Sequence, residues 1–282
     1  MINYNGELAS DAANLFNHTN RGFRFGDALF EEVRIIHQQP LFLEAHYFRL
    51  MASMRMLRME IPMNFTLEYF KEQLTKIIVA NNWETTSVLA RISIFRTGGV
   101  MIDEVGDQVA FLIDGTALES PFYTLSSARY EVELYKDFFI NTGLISTLDV
   151  ANQPLPILAS IYAEENGYED CLLLNAAKSV VGTIYGNIFL VNGNSIKTAP
   201  LLDGCKNQIM RKVVMDIVKD WEGFELNEAS ISPFELQKAD ELFVVNVKSG
   251  ILPITKYRKK EYTREVARNL LGKLNAQSRF AN

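Results

Sequence analysis

The sequence predicts an α/β protein of two domains. Strand-like apolar runs alternate with stretches of helical periodicity along the whole chain. At 282 residues the length suits one large domain or two medium ones. The run from Gly115 to Ser127 loses periodicity around Pro121, which reads as a linker. These observations divide the chain into an N-terminal α/β domain over 1–115, a linker over 116–127 and a C-terminal α/β domain over 128–282.

The first strand is read at Leu29 to Ile36. A helix from Glu44 to Met59 follows, because Tyr47, Leu50, Met54 and Leu57 recur at helical spacing. Asn64 is placed to cap a second helix, from Thr66 to Asn81. Val88 to Phe95 and Gln108 to Ile113 are strand-like, with Arg96-Thr97-Gly98-Gly99 as a turn between them. Past the linker, Glu131 to Tyr135 reads as a strand. Leu155 to Asn166 reads as a helix closed by Gly167. Strands at Cys171 to Leu174 and Ile188 to Val191 follow, the second ending in the turn Val191-Asn192-Gly193. A helix over Asn207 to Asp220, a strand over Glu241 to Val247 and a closing helix over Thr263 to Leu274 complete the pattern. There is no internal repeat and no low-complexity segment.

Composition narrows the function. The chain is 48% hydrophobic and 22% charged, with net charge -6, so it offers no broad basic face for nucleic acid. The short basic cluster Lys256, Arg258, Lys259 and Lys260, followed by Glu261, reads as a solvated helix start. Cys171 and Cys205 lack metal-ligand spacing, and Cys171 sits in an apolar run that favours a buried, reduced thiol. No metal site is expected. The opening residues lack the basic and apolar regions of a signal peptide. No stretch approaches the roughly 20 apolar residues of a membrane span. A cytoplasmic protein is the expectation.

Six segments, in order, resemble one known family. They are Asn20-Arg21-Gly22-Phe23-Arg24-Phe25-Gly26-Asp27-Ala28-Leu29-Phe30-Glu31, then Leu43-Glu44-Ala45-His46-Tyr47-Phe48-Arg49-Leu50, then Ala159 to Asn175. After these come Gly186-Asn187-Ile188-Phe189, Leu202-Asp203-Gly204 through Ile209-Met210-Arg211, and Ala239-Asp240-Glu241-Leu242-Phe243 with Pro253-Ile254. Together they resemble the fold type IV pyridoxal-phosphate (PLP) aminotransferases: branched-chain and D-amino acid aminotransferases and aminodeoxychorismate lyases. Each match is weak alone, and their order across nearly the whole chain is the signal. The resemblance implies a D-amino acid aminotransferase-like architecture. It also implies PLP as cofactor and a homodimer, with a cleft between the domains lined partly by a neighbouring subunit.

PLP chemistry needs a lysine to form an imine with the cofactor aldehyde and to shuttle a proton. It also needs an acid at the pyridine nitrogen and donors for the phosphate. By resemblance, Arg49 is the phosphate-binding arginine, and Ile209 and Met210 offer backbone N–H groups at a helix start. Gln208 stands where the family keeps a glycine. The family's lysine precedes an asparagine by three residues and a helix alanine by ten. Matched to Asn152 and Ala159, that position is Asp149. The family's glutamate lies five residues before the asparagine of Asn-Ile-Phe, which is Gly182 when matched to Asn187, and Val181 supplies no carboxylate either.

Asp149 in the cleft needs a partner, with Arg49 and Lys248 as candidates. Lys248 is also the first candidate for a substitute lysine, ahead of Lys206 and Lys178. Arg24, Arg91 and Arg96 are candidates for holding a substrate carboxylate, and each is also read as a structural ion-pair member. His46 matches the family's helix histidine and reads as buried and hydrogen-bonded. His18 and His37 point to nothing. Gln208 and Tyr185 are bulky enough to fill space a cofactor leaves.

Three readings stay open. The chain is a degenerate homologue that binds a small anionic or amino-acid-like ligand, without covalent PLP or without PLP at all. It is an active PLP aminotransferase or lyase using a substitute lysine. Or it is a PLP-independent enzyme in which Asp149 is the general acid or base.

Overall fold

A computed structural model describes residues 1–104, 106 and 108–279. They form two compact units: residues 1–122 with 149–152, and residues 123–148 with 153–279. The mixed α/β class expected from the alternation is what the structure has.

The first unit contains strands β1 (Ile2–Tyr4) and β2 (Glu7–Ala9), helix α1 (Arg21–Phe25), and strands β3 (Ala28–Ile36) and β4 (Gln39–Pro40). Helices α2 (Leu43–Met56) and α3 (Leu67–Ala80) follow, then strands β5 (Ser87–Arg96) and β6 (Val109–Leu118). The strands make one sheet of order β2-β1-β6-β5-β3-β4, antiparallel throughout. Alternation along β3 and β5 sends Leu29, Val33, Ile35, Val88, Ala90, Ile92 and Ile94 to one face. There they pack with Leu50, Met51 and Met54 of α2 and with Phe70, Leu74, Ile77 and Ile78 of α3. A one-residue slip would turn this apolar set to the other face, so burial fixes the register. Each large side chain buried this way contributes about 1.5–3 kcal/mol.

Two local expectations change. The cap of α3 is Thr66, whose side chain accepts the Tyr69 N–H, and not Asn64, whose carbonyl instead accepts the Thr66 N–H. Strand β6 runs on through Gly115 to Leu118, so the first residues of the aperiodic run are strand. Glycine there broke the apolar pattern for a packing reason: a Cβ at Gly115 would meet the Trp83 ring at 2.8 Å.

The second unit contains β7 (Glu131–Leu134), α4 (Pro154–Asn166), β8 (Asp170–Leu174), β9 (Val180–Thr183), β10 (Asn187–Asn192) and β11 (Ser195–Thr198). It continues with α5 (Ile209–Lys219), β12 (Glu225–Glu228), α6 (Pro233–Leu236), β13 (Glu241–Asn246) and β14 (Gly250–Ile254). It closes with β15 (Lys256–Tyr257), β16 (Lys260–Glu261) and α7 (Glu265–Ser278). Its two sheets have the orders β12-β11-β10-β13-β14 and β16-β15-β7-β8-β9. Leu172, Val180, Ile188, Leu242 and Val244 lie in the core between them. Helix α4 ends at Gly167 in the left-handed conformation, φ 73°, as its place after the helix required. The basic cluster does not start a helix. Lys256 and Tyr257 pair with Glu261 and Lys260 in a tight hairpin, turned by Arg258 at φ 54°. Cys171 and Cys205 are free thiols, both buried.

Candidate functional site

The segment 149–152 is held by the start of β3. The Phe30 N–H donates to the Asp149 carbonyl at 2.8 Å, the Ala151 N–H donates to the Ala28 carbonyl at 2.9 Å, and Leu29 and Val150 form an antiparallel bridge. Asn152 lies over Gly26, where a Cβ would meet the Asn152 Cβ at 3.0 Å and where φ is +64°. The closeness and the left-handed backbone both call for glycine at the end of α1.

This anchoring delivers the Asp149 side chain to Arg49. Helix α2 places His46 and Arg49 three residues apart, hence on neighbouring positions of one face. On β3, Glu31 falls in the core-facing register between Leu29 and Val33. The four side chains form one chain of contacts. His46 Nδ1 is 2.6 Å from Glu31 Oε1. Arg49 Nη1 donates to Glu31 Oε2 at 2.6 Å, and Arg49 Nη2 donates to Asp149 Oδ2 at 2.6 Å. The Asp149 and Arg49 side chains are 6% and 10% exposed, so these are ion pairs in low dielectric. Burial works against the charge on Arg49, yet Glu31 and Asp149 together outweigh it and hold the guanidinium pKa above its ordinary value. His46 Nε2 is buried without a hydrogen-bond partner.

The cluster therefore contains two carboxylates, an imidazole and a guanidinium. Sequence reasoning had set Asp149 against Arg49 or Lys248 as partner, and the structure pairs it with Arg49. It had given no role to Glu31. The signal was present: an acid in the core-facing register of an apolar strand needs a buried partner.

The candidate carboxylate-binding arginines lie apart from this cluster. Arg96 contacts Asp27 at 3.3 Å and donates to the Leu57 and Arg58 carbonyls, while Arg21 takes the other Asp27 oxygen at 2.9 Å. Arg91 lies 3.7 Å over the Phe30 ring and 3.9 Å from Glu32. Across the sheet from it, burial raises the pKa of Asp114, and Arg91 pulls it back in part. Arg24 is exposed, with its guanidinium 5.5 Å from the Phe25 ring centre.

In the second unit, Gly182 lies in β9 opposite Leu173. A Cβ there would meet the Gly186 carbonyl oxygen at 2.9 Å. Ile209 and Met210 open α5 and are buried, and Gln208 is its extended N-cap. The first N–H groups of a helix have no acceptor within it. Lys248 is exposed in the turn between β13 and β14, Lys178 is exposed at φ 63°, and Lys206 is half-buried. Tyr185 is 50% exposed. Among the described residues, no group of three or more His, Cys, Asp or Glu side chains is arranged to hold a metal ion, and no helix is long and apolar enough to cross a membrane.

Comparison with known proteins adds a family. A family model described as Amino-transferase class IV matches residues 28–257. The chain is 26% identical over 245 residues to a D-alanine aminotransferase of Listeria monocytogenes, covering 84% of this chain and 80% of that protein. It is 23% identical over 264 residues to a D-alanine aminotransferase of Staphylococcus epidermidis, covering 89% and 87%. Among solved structures, it resembles a branched-chain aminotransferase from Thermoproteus uzoniensis crystallised with norvaline. The TM-score is 0.86 at 22% identity, covering 98% of this chain and 94% of that one. A branched-chain amino acid aminotransferase from Thermobaculum terrenum, solved in its PLP form, gives a TM-score of 0.85 at 21% identity, covering 100% and 94%. These structural likenesses show a shared fold.

Proposed function

The chain belongs to the amino-transferase class IV family, and from that premise we propose that it is a member without the family's PLP chemistry. Asp149 stands at the lysine position and Gly182 at the position of the acid that contacts the pyridine nitrogen. The observation that carries this reading is the buried pair of Arg49 and Asp149 at 2.6 Å. The residues present do not fit PLP bound as an imine, because a carboxylate paired with a guanidinium stands at the position of the amine. A glutamate at position 182 would press on the Gly186 carbonyl, 2.9 Å from its Cβ, so the second loss is built into the backbone of β9.

On this reading the protein is a binding protein for a small anionic or amino-acid-like ligand. Arg49 already meets two carboxylates, so the ligand's anionic group belongs at the first turn of α5, on the N–H groups of Ile209 and Met210. PLP binds non-covalently if it binds at all. We also propose self-association as a homodimer. Its support, beyond the family, is that α4 buries only Ala159 and Ala163 and exposes Ile157, Leu158 and Ile161. Light scattering on the purified chain measures that mass.

The reading in which Asp149 is a general acid or base has less support, since Asp149 Oδ2 is already engaged by the Arg49 guanidinium at 2.6 Å. The test is turnover. With PLP present, D-alanine or branched-chain amino acids and a 2-oxo acid acceptor should give no product above the protein-free rate. Saturable turnover that depends on the protein would overturn the proposal.

A further inference from the structure

The first unit has a second concavity that the ion network does not use. It is a pocket of about 170 Å³ between α2, α3 and the sheet. Met54, Ile94, Phe65 and Phe111 line it and are buried; Tyr69 is half-buried beside them. Three of these walls are aromatic and touch one another. The ring centres lie 5.8 Å apart for Phe65 and Tyr69, 5.6 Å for Phe65 and Phe111, and 6.2 Å for Tyr69 and Phe111. They are held by their own mutual packing, so the pocket is formed in advance of any ligand.

Size and polarity decide what fits. A cavity of roughly 150 Å³ lined by apolar side chains stays dry and takes up benzene. A pocket of this volume therefore takes one six-membered ring. The rim adds one polar group in a fixed place. Asn5 stands at φ 51°. Its backbone N–H donates to the Phe111 carbonyl at 3.0 Å, and its Oδ1 accepts the Phe111 N–H at 2.8 Å. The second bond fixes the side-chain amide, and Nδ2 is the remaining donor of this exposed residue, which lines the pocket. A ring carrying one hydrogen-bond acceptor satisfies both walls and rim.

We propose that this pocket binds a small aromatic molecule of one six-membered ring with a single oxygen acceptor, the acceptor meeting Asn5 Nδ2. The site is separate from Asp149 and does not depend on the loss of PLP chemistry. Met54 reports on it, because its side chain forms a wall. Val109 and the exposed Asn64 line it as well.

The test titrates phenol into the full chain labelled with methyl-13C methionine, with the Met54 signal assigned through Met54→Leu. The expected result is a saturable shift of the Met54 methyl signal. Val109→Phe fills the pocket and should weaken phenol binding at least about tenfold. Asn64→Trp, at a surface position that does not threaten folding, covers the mouth and should do the same. The proposal is overturned if the Met54 signal does not shift saturably. It is also overturned if folded Asn64→Trp and Val109→Phe both bind phenol as the parent does.

Discussion

Arg49 on α2 and Asp149, 100 residues later in the chain, form a buried ion pair at 2.6 Å, and Glu31 takes the other edge of the same guanidinium. A buried pair of this kind adds little net stability over an apolar replacement, but removing one partner is costly. Asp149→Ala should destabilise the first unit by about 3 kcal/mol, and Asp149→Asn, which keeps the shape, by about half that. Urea unfolding measures both. In a double-mutant cycle with Arg49→Met the two losses should fail to add by at least about 1 kcal/mol. Additive losses would mean the pair does not link α2 to the 149–152 segment.

The close approach of Asn152 to Gly26 makes a second prediction. Gly26→Ala has to adopt φ +64° and push against Asn152. We expect a loss of about 1–2 kcal/mol, read as a lower Tm. A neutral substitution would show that the segment moves aside without cost.

Position 182 gives a third. Gly182→Ala places a methyl 2.9 Å from the Gly186 oxygen, and should cost about 1–3 kcal/mol. Gly182→Glu should be worse and should yield less soluble protein. An unchanged melting curve for the alanine variant would remove the argument that the backbone of β9 excludes the family's acid.

Asp170 sets a pH dependence. Its burial pushes the carboxyl pKa up to about 6, against hydrogen bonds from Thr183, Tyr130 and the Cys171 and Ile184 N–H groups that pull it down. The ordinary value is 3.8. Between the two, the folded chain keeps the proton while the unfolded chain has lost it. Stability is therefore lost as pH rises from about 4 to about 6 and changes no further above that, by about 3 kcal/mol in all. Asp170→Asn should remove this contribution. The difference in unfolding free energy between variant and parent, followed from pH 4 to pH 7, should shift in favour of the variant. A difference that stays constant across that range would contradict the raised pKa.

The long, strongly patterned elements were legible in the sequence. Strand β3, helix α2 and the glycine stop of α4 fall within a few residues of their expected places. Strands β9, β11 and β12 were not, because none has two apolar residues at alternate positions as Val132 and Leu134 of β7 do, and each is specified by its neighbours. The hairpin of β15 and β16 was hidden by its charge: Lys256 and Lys260 read as solvated helix, while the buried Tyr257 between them was the sign of an inward-facing strand residue. At the site, both members of the Arg49–Asp149 pair were named from the sequence. That Arg49 reaches Asp149 was not legible, since it depends on β3 holding the 149–152 segment from a distance of more than 100 residues.

The central claim is that no lysine of this chain forms an imine with PLP. The most direct measurement is to incubate the purified protein with PLP, record the visible spectrum, reduce with borohydride and map adducts by mass spectrometry. The account predicts no imine absorbance band and no lysine modified in preference to the others. A stoichiometric adduct at one lysine, Lys248 for example, with the matching band before reduction, would contradict it.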